Sequence, residues 1–539
     1  MDPSSEKPFD SELPPGTVRI LDVAHSRTIL VPRPTTDPNQ PLNWSTKRKV
    51  LQMTILCVYT TLIFAILTVT PPLWQNISDE LGISIDDLNY GYATAYCSLT
   101  VAALVFIPLS INFGRRPIYL ITSLIMLASA IWMANIRTTF DVIGSNLLSG
   151  IAGSVNEALF NVTICDLFFI HQRGTMTGIY LLVVILGTYL APIASGYIAV
   201  SQDWRWVFWH CAIYVSVTVI VMLFFLEETK WEAPLLNSTP LPQSEPSGTI
   251  QKGKGSIEKI DSQSAISATS ACAQQTVDDT IPMKSYRQRH PWYTVSQNVS
   301  TSYSQRLLRQ LYQPFMILGI FPAIMFSALQ YAWSESMLSF LAVTQASLYP
   351  LPPYNFSAIG VGNMNIPPAI GAILGSVFGG PFSDYLIMVI ARRRQGIYEP
   401  EYRLWTFLVP GASMVAGVLL YGLTIAEGMP WIINAVGAGL VGFALGGCGD
   451  IALTYVQDSY DGIIGPALIG IVFVRNGMAT IMTFVIPAWQ AGMGVYNMFV
   501  LLGVLAALVM LTCVPLMIWG RRWRMKLGDR YAALANDCF

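Results

Sequence analysis

Five ionisable residues stand where hydrocarbon would surround them. Glu157, Asp166, Glu335, Asp450 and Arg475 each lie inside a long apolar run, and a charge at mid-bilayer costs ~2.5 to 3.5 kcal/mol on insertion scales. Residues kept at that cost mark the path of an ion or polar solute, or neutralise one another. Glu157 falls near the middle of its run, with Asp166 further along the same run toward a basic loop. Glu335 is central in its own run, Asp450 lies toward the basic side of the next but two, and Arg475 is deep in the run that follows Gly465. Pairing of Arg475 with Glu335 or Asp450 across a cavity would neutralise both partners. Burial tunes a carboxylic acid toward proton exchange near neutral pH, which makes Glu157 the candidate proton carrier and Glu335 the candidate to face a solute. A structural ion pair is the simpler account of Glu157, Asp450 and Arg475. Tyr92, Tyr96, Tyr331, Trp333, Met337, Tyr455 and Phe473 offer an adaptable apolar lining with cation–π capacity.

Other chemistries lack their parts. The histidines make no metal-ligand spacing with cysteines or acids, so no metal and no cofactor is expected. No GxxxxGK loop, HExxH pair or nucleophile elbow occurs, which argues against ATP-driven pumping and against an enzyme.

The elements that must hold these residues are membrane spans. Composition is 53% hydrophobic and 12% charged over 539 residues, and in hydrocarbon an apolar run of roughly 20 residues satisfies its backbone only as a helix. Twelve such runs are read at about 50–73, 89–111, 117–136, 142–166, 175–199, 206–226, 314–346, 357–390, 404–425, 431–455, 464–489 and 496–519. The predicted fold is an all-α membrane protein of two six-helix halves. Its domains are a tail 1–49, a first bundle 50–226, a central loop 227–312, a second bundle 313–520 and a tail 521–539. Residues 1–49 are polar and proline-dotted, so no cleavable signal peptide is expected there. A net charge of -1 gives no indication of nucleic acid.

Basic residues set the orientation. With the amino terminus inside, inner segments near the spans hold fifteen Lys and Arg, among them Lys47, Arg48, Lys49, Arg115, Arg116 and Arg403, against Arg137 and Arg205 outside. That bias predicts both termini in the cytosol. The triplets at Asn76 and Asn355 then fall in outer loops as glycosylation acceptors. The cysteines fall in spans or cytosolic segments, so no extracellular disulfide is expected. The central loop turns rich in Ser, Thr, Gln, Lys and Pro and reads as a largely disordered tether whose basic residues can lie on the inner leaflet.

The halves carry a trace of duplication. VFIPLSINFGRRP (105–117) and VFGGPFSDYLIMVIARRR (377–394) align Pro108 with Pro381 and Ser110 with Ser383 at equivalent places. With DPNQPLNWSTKRK, GRRPIYL, DLFFIHQRG, GTYLAPIASGY, DWRWVFW, EETKW, GGPFSD, GIYEPEYRLW and LTYVQDSY in order along the chain, the sequence resembles the major facilitator superfamily. Within it, the chain is similar to the fungal twelve-span drug:proton antiporters, a branch that also holds polyamine and cation carriers. The resemblance implies two six-helix bundles around a central cavity that opens alternately to either side.

The same resemblance assigns roles. Gly114, Arg115 and Arg116 form a cytosolic gate that meets the other bundle, with Asp384 as the acid of the second half; Ile111 stands where the family usually has the first-half acid. Gly187, Pro192 and Gly196 form a fifth-span hinge that the family associates with export. Asn146 replaces an arginine common in related antiporters, so coupling has to run through other acids. The expected activity is secondary active transport at the plasma membrane: efflux of a drug, toxin or fungal secondary metabolite in exchange for protons, by a monomer in the lipid bilayer. Proton-coupled uptake of polyamines or other organic cations is the alternative, and a transporter-like nutrient receptor a second one.

Overall fold

The computed structural model describes residues 14–15, 17–19, 37–231, 281–294, 303–393 and 397–538. The expectation of disorder for 232–280 and 295–302 lies outside the described residues. Apart from one two-residue antiparallel pair, β1 (Val18–Arg19) with β2 (Ile397–Tyr398), the described secondary structure is helical.

Among the described residues nine helical stretches are long and apolar enough to cross a membrane, and a bent pair of helices taken as one span makes ten. One of the nine, Asp461–Lys526, runs 66 residues and reverses at Gly494, whose φ is +75°. It therefore carries the eleventh and twelfth crossings. The fourth is split into Thr139–Gly153 and Asn156–Leu167. Counted this way, the helices accommodate the twelve expected crossings. Starts are set by local chemistry: Ser84 accepts from the N–H of Asp87 at 3.1 Å, and Thr138 and Asp141 form a reciprocal capping box.

The seventh crossing differs from the sequence reading. One run is expected at 314–346, but the stretch is two helices, Leu308–Ile320 and Pro322–Leu348, bent by 100° at the break between them. Pro322 lacks an N–H and holds Phe321 in an extended conformation, so the helix before it cannot run on. An unbroken apolar composition concealed the corner.

The described parts of the tails and of the central loop meet at one face, here the terminal face. Arg524, almost fully buried, donates to Glu401 through Nε at 2.9 Å and Nη2 at 2.5 Å and also binds the Pro15 carbonyl. The amino-terminal strand is thus held by the second half. Part of the central loop is ordered there too: Tyr286–Arg289 is a short helix, Tyr286 donates to the Phe224 carbonyl at 2.7 Å, and the N–H of Thr294 donates to Phe113 at 2.8 Å. The described part of the largely disordered tether expected here is thus a docked segment. Asn76 and Asn355 lie at the opposite face, in the connections after the first and seventh crossings, half-buried and exposed respectively.

Candidate functional site

The fifth crossing is built from Ile170–Ile185, a π-helical turn Leu186–Leu190, and Ala191–Ser201. The wide turn lies just ahead of Pro192, which removes one backbone donor. Beyond it, Gly196 packs so tightly on the second half that an added Cβ would stand 2.4 Å from the Ala358 carbonyl, and one at Gly362 would stand 2.7 Å from that of Pro192. Gly187 faces the first crossing at Thr61 and Phe64 instead. Two of the three predicted hinge residues therefore sit at the seam between halves. Asn89 adds a donor to the Thr483 carbonyl at 2.9 Å, and Tyr90 stacks on Phe484, so the seam continues between the second and eleventh crossings.

Near the centre of this seam Glu157 forms an ion pair with Arg475. Asn476 donates to the second Glu157 oxygen at 2.9 Å and accepts from Arg475 Nε at 3.0 Å, while the guanidinium lies 5.0 Å from the Tyr331 ring centre. All three polar side chains are buried. Glu157 comes from the first half and Arg475 and Asn476 from the second, so the pair ties the halves together. This corrects the expected pairing of Arg475 with Glu335 or Asp450. Helix rotation brings it to the fourth crossing, which spacing along the chain does not encode.

Glu335 is thereby left without a cationic partner among the described residues. The Tyr96 phenol lies near its carboxylate and 3.4 Å from the Tyr92 hydroxyl. The phenols of Tyr92, Tyr180, Tyr189 and Tyr331 also lie within electrostatic reach of its carboxylate. Four of these five tyrosines belong to the first half, and Tyr96 also senses Arg475. An acid without a cationic partner, set among tyrosines, is suited to a cation, which can gain from both the charge and the rings. Tyr180 and Tyr189 escaped the sequence reading. The signal was their place on the fifth crossing, one of them inside the predicted hinge.

Asp450 is half-buried on the tenth crossing, beside Ser376 and close to Gly379 of the eighth. It does not join Arg475. Asp166 lies at the terminal end of its helix, where Arg115 donates to it at 3.1 Å and Thr229 at 3.4 Å.

The gate residues do not reach across. Arg116 is buried and donates to the carbonyls of Leu223, Leu226, His290 and Pro291. Glu228 accepts from the backbone N–H groups of Arg115 and Arg116 at 2.9 and 3.1 Å. Gly114, at φ +106°, leaves room for that carboxylate, which an added Cβ would meet at 2.5 Å. The expectation that these guanidiniums engage the other bundle is corrected: Arg115 pairs with Asp166 of the fourth crossing, and Arg116 with the end of the sixth crossing and the docked central segment. Asp384 likewise pairs within its own half, with Arg403 at 2.7 Å, and Arg403 also holds Asp458.

Two six-helix halves, a seam of close backbone approach and buried ionisable groups at its centre are the architecture of a membrane carrier. Comparison with known proteins agrees. The sequence profile of the Major Facilitator Superfamily matches residues 55–472. An uncharacterized MFS-type transporter of Schizosaccharomyces pombe is 30% identical over 94% of this chain and 90% of its own. The MFS antiporter QDR3 of Candida albicans is 24% identical over 84% and 74%. Among solved structures, the human organic anion transporter MFSD10 (TETRAN) matches with a TM-score of 0.51 at 16% identity, over 86% of this chain and 99% of its own; at that identity the likeness speaks for the fold alone. The chain belongs to the Major Facilitator Superfamily. It is a multi-pass membrane transporter of small molecules and not an enzyme.

Proposed function

We propose that this transporter expels an amphipathic organic cation in exchange for protons, with Glu335 meeting the cation and Glu157 exchanging the proton. The observation that carries the reading is Glu335 itself, an acid without a cationic partner among the described residues, set against tyrosines of the opposite half. A cation bound there touches both halves at once. When the halves part on one side, the tyrosine wall leaves and the cation is released.

Glu157 supplies the coupling. Protonation of its carboxylate removes the charge that holds Arg475, which loosens the tie between the halves and lets the seam rearrange. The tight packing of Gly196 on Ala358 supports the export reading of the fifth crossing. The basic residues around the terminal face support cytosolic termini at the plasma membrane, with Asn76 and Asn355 as glycosylation sites outside. The functional unit in this reading is a monomer.

Uptake of organic cations with protons uses the same acid and wall, so Glu335 favours it equally. Vesicles with an imposed pH gradient separate the two. Labelled cation leaving the side of the termini as protons enter supports export, and joint entry of cation and proton from the opposite side supports uptake. A neutral or anionic substrate carried without regard to Glu335 contradicts both.

A further inference from the structure

The docked central segment has an outward side that transport does not explain. Ser285 and Gln288 box the start of its short helix, and the segment is tied to the bundle through Tyr286, Thr294, and the Arg289 carbonyl, which accepts from the N–H of Glu228 at 3.2 Å. Asn39 of the tail before the first crossing joins it, donating to the Pro282 carbonyl at 3.2 Å and accepting from the N–H of Lys284 at 2.8 Å. From this fixed base Trp292 and Tyr293 project outward, 70% and 69% exposed, with Met283 and Tyr286 also exposed. Phe224 and Phe225, at the end of the sixth crossing, are exposed as well. Aromatic side chains at the end of a span belong at headgroup depth.

A groove opens in the same place, lined by Trp44, Arg48, Lys230, Lys284 and Arg289 together with Glu227 and Glu228. Both acids are occupied. Glu227 is paired with Arg48, and Glu228 accepts from three backbone N–H groups, those of Arg115, Arg116 and Lys230. Four cations against two acids leave the groove positive. Arg289 Nε is buried there with no hydrogen-bond partner. A guanidinium N–H kept from water without an acceptor is costly, and an oxyanion is the acceptor that fits it best.

We infer that this groove binds the phosphate of an anionic phospholipid headgroup, whose acyl chains run beside Phe224 and Phe225. Lys284 and Arg289 belong to the docked segment, and Arg48 and Lys230 to the bundle. A headgroup between them clamps the segment onto the Gly114–Arg116 turn. Anionic lipid would therefore hold the base of the first half in the arrangement seen here. The inference rests on membrane insertion and is independent of the substrate or the direction of transport.

The test uses the full-length protein in nanodiscs that contain phosphatidylinositol and phosphatidylcholine, with retained lipid counted by native mass spectrometry. One phosphatidylinositol should stay bound, and K284Q/R289Q should weaken its retention about tenfold, the order expected for losing a charge-assisted hydrogen bond. K284R/R289K should retain it. In the wild-type protein, a photoreactive phosphatidylinositol should label residues 281–294 and those around Trp44 and Trp231. Equal retention by K284Q/R289Q, labelling confined to other surfaces, or displacement of the lipid by inorganic phosphate at equal concentration would each overturn the assignment, the last by making this a site for free anions.

Discussion

The carboxylate of Glu157 in the fourth crossing pairs with the guanidinium of Arg475 in the eleventh, so one buried ion pair spans the two halves of the transporter. Asn476 braces both members. Buried pairs of this kind cost more to break than they contribute when made, because the survivor keeps an unpaired charge out of water.

The first prediction follows from that asymmetry. Arg475→Gln leaves Glu157 unpaired and should destabilise the protein by about 3 to 5 kcal/mol, whereas the double change E157Q/R475Q should recover most of the loss. Thermal melting of the three variants in one detergent checks this, and additive losses would count against the pair.

Glu335 gives a prediction on activity. Glu335→Gln keeps the volume and removes the charge, so affinity for an organic cation should fall at least about tenfold, while melting changes little. Tyr96→Phe should have a smaller effect in the same direction, because the ring face survives and only the hydroxyl is lost. Cation transport by membrane vesicles measures both.

Close approach at the seam predicts a steric effect. The Cβ of Gly196→Ala would press on the Ala358 carbonyl, a backbone atom that cannot rotate away. Transport should drop sharply with the protein still present in the membrane. Gly178, with open space around its Cα, should accept alanine with little change, and transport rates normalised to surface protein distinguish the two.

At the terminal face, Arg116 donates to four carbonyls while buried. Arg116→Ala should release the docked segment and unsatisfy the end of the sixth helix, costing several kcal/mol, on the order of ~1 to 3 kcal/mol for each buried acceptor left alone. Hydrogen exchange over residues 281–294 should rise in this variant. Unchanged exchange there would separate the arginine from the segment.

Much of this architecture was legible in the sequence because hydrocarbon enforces it. Apolar length marked the crossings, and the cost of intramembrane charge picked out Glu157, Glu335 and Arg475. What remained hidden depends on contacts between distant segments. Arg475 could be placed deep in its helix, but its partner is chosen by rotation of that helix against the other half. Reading Arg115 and Arg116 as reaching across the halves misses their acceptors, Asp166 for Arg115 and the carbonyls of Leu223 and Leu226 for Arg116, which become neighbours only after the fourth and sixth helices return beside the third. Two missed features did leave signals. Phe321-Pro322 is a helix-ending dipeptide inside an apolar run, and SYRQRHPWY gathers aromatic and basic residues, with a capping pair, in an otherwise polar loop.

The central claim is that Glu157 couples protons to movement of the halves, and the most direct measurement compares wild type with E157Q/R475Q in proteoliposomes under an imposed pH gradient. The wild type should drive labelled organic cation uphill, and the double variant should still exchange cation for cation but fail to concentrate it. Equal uphill accumulation by both proteins would contradict the account and return the buried pair to a purely structural role.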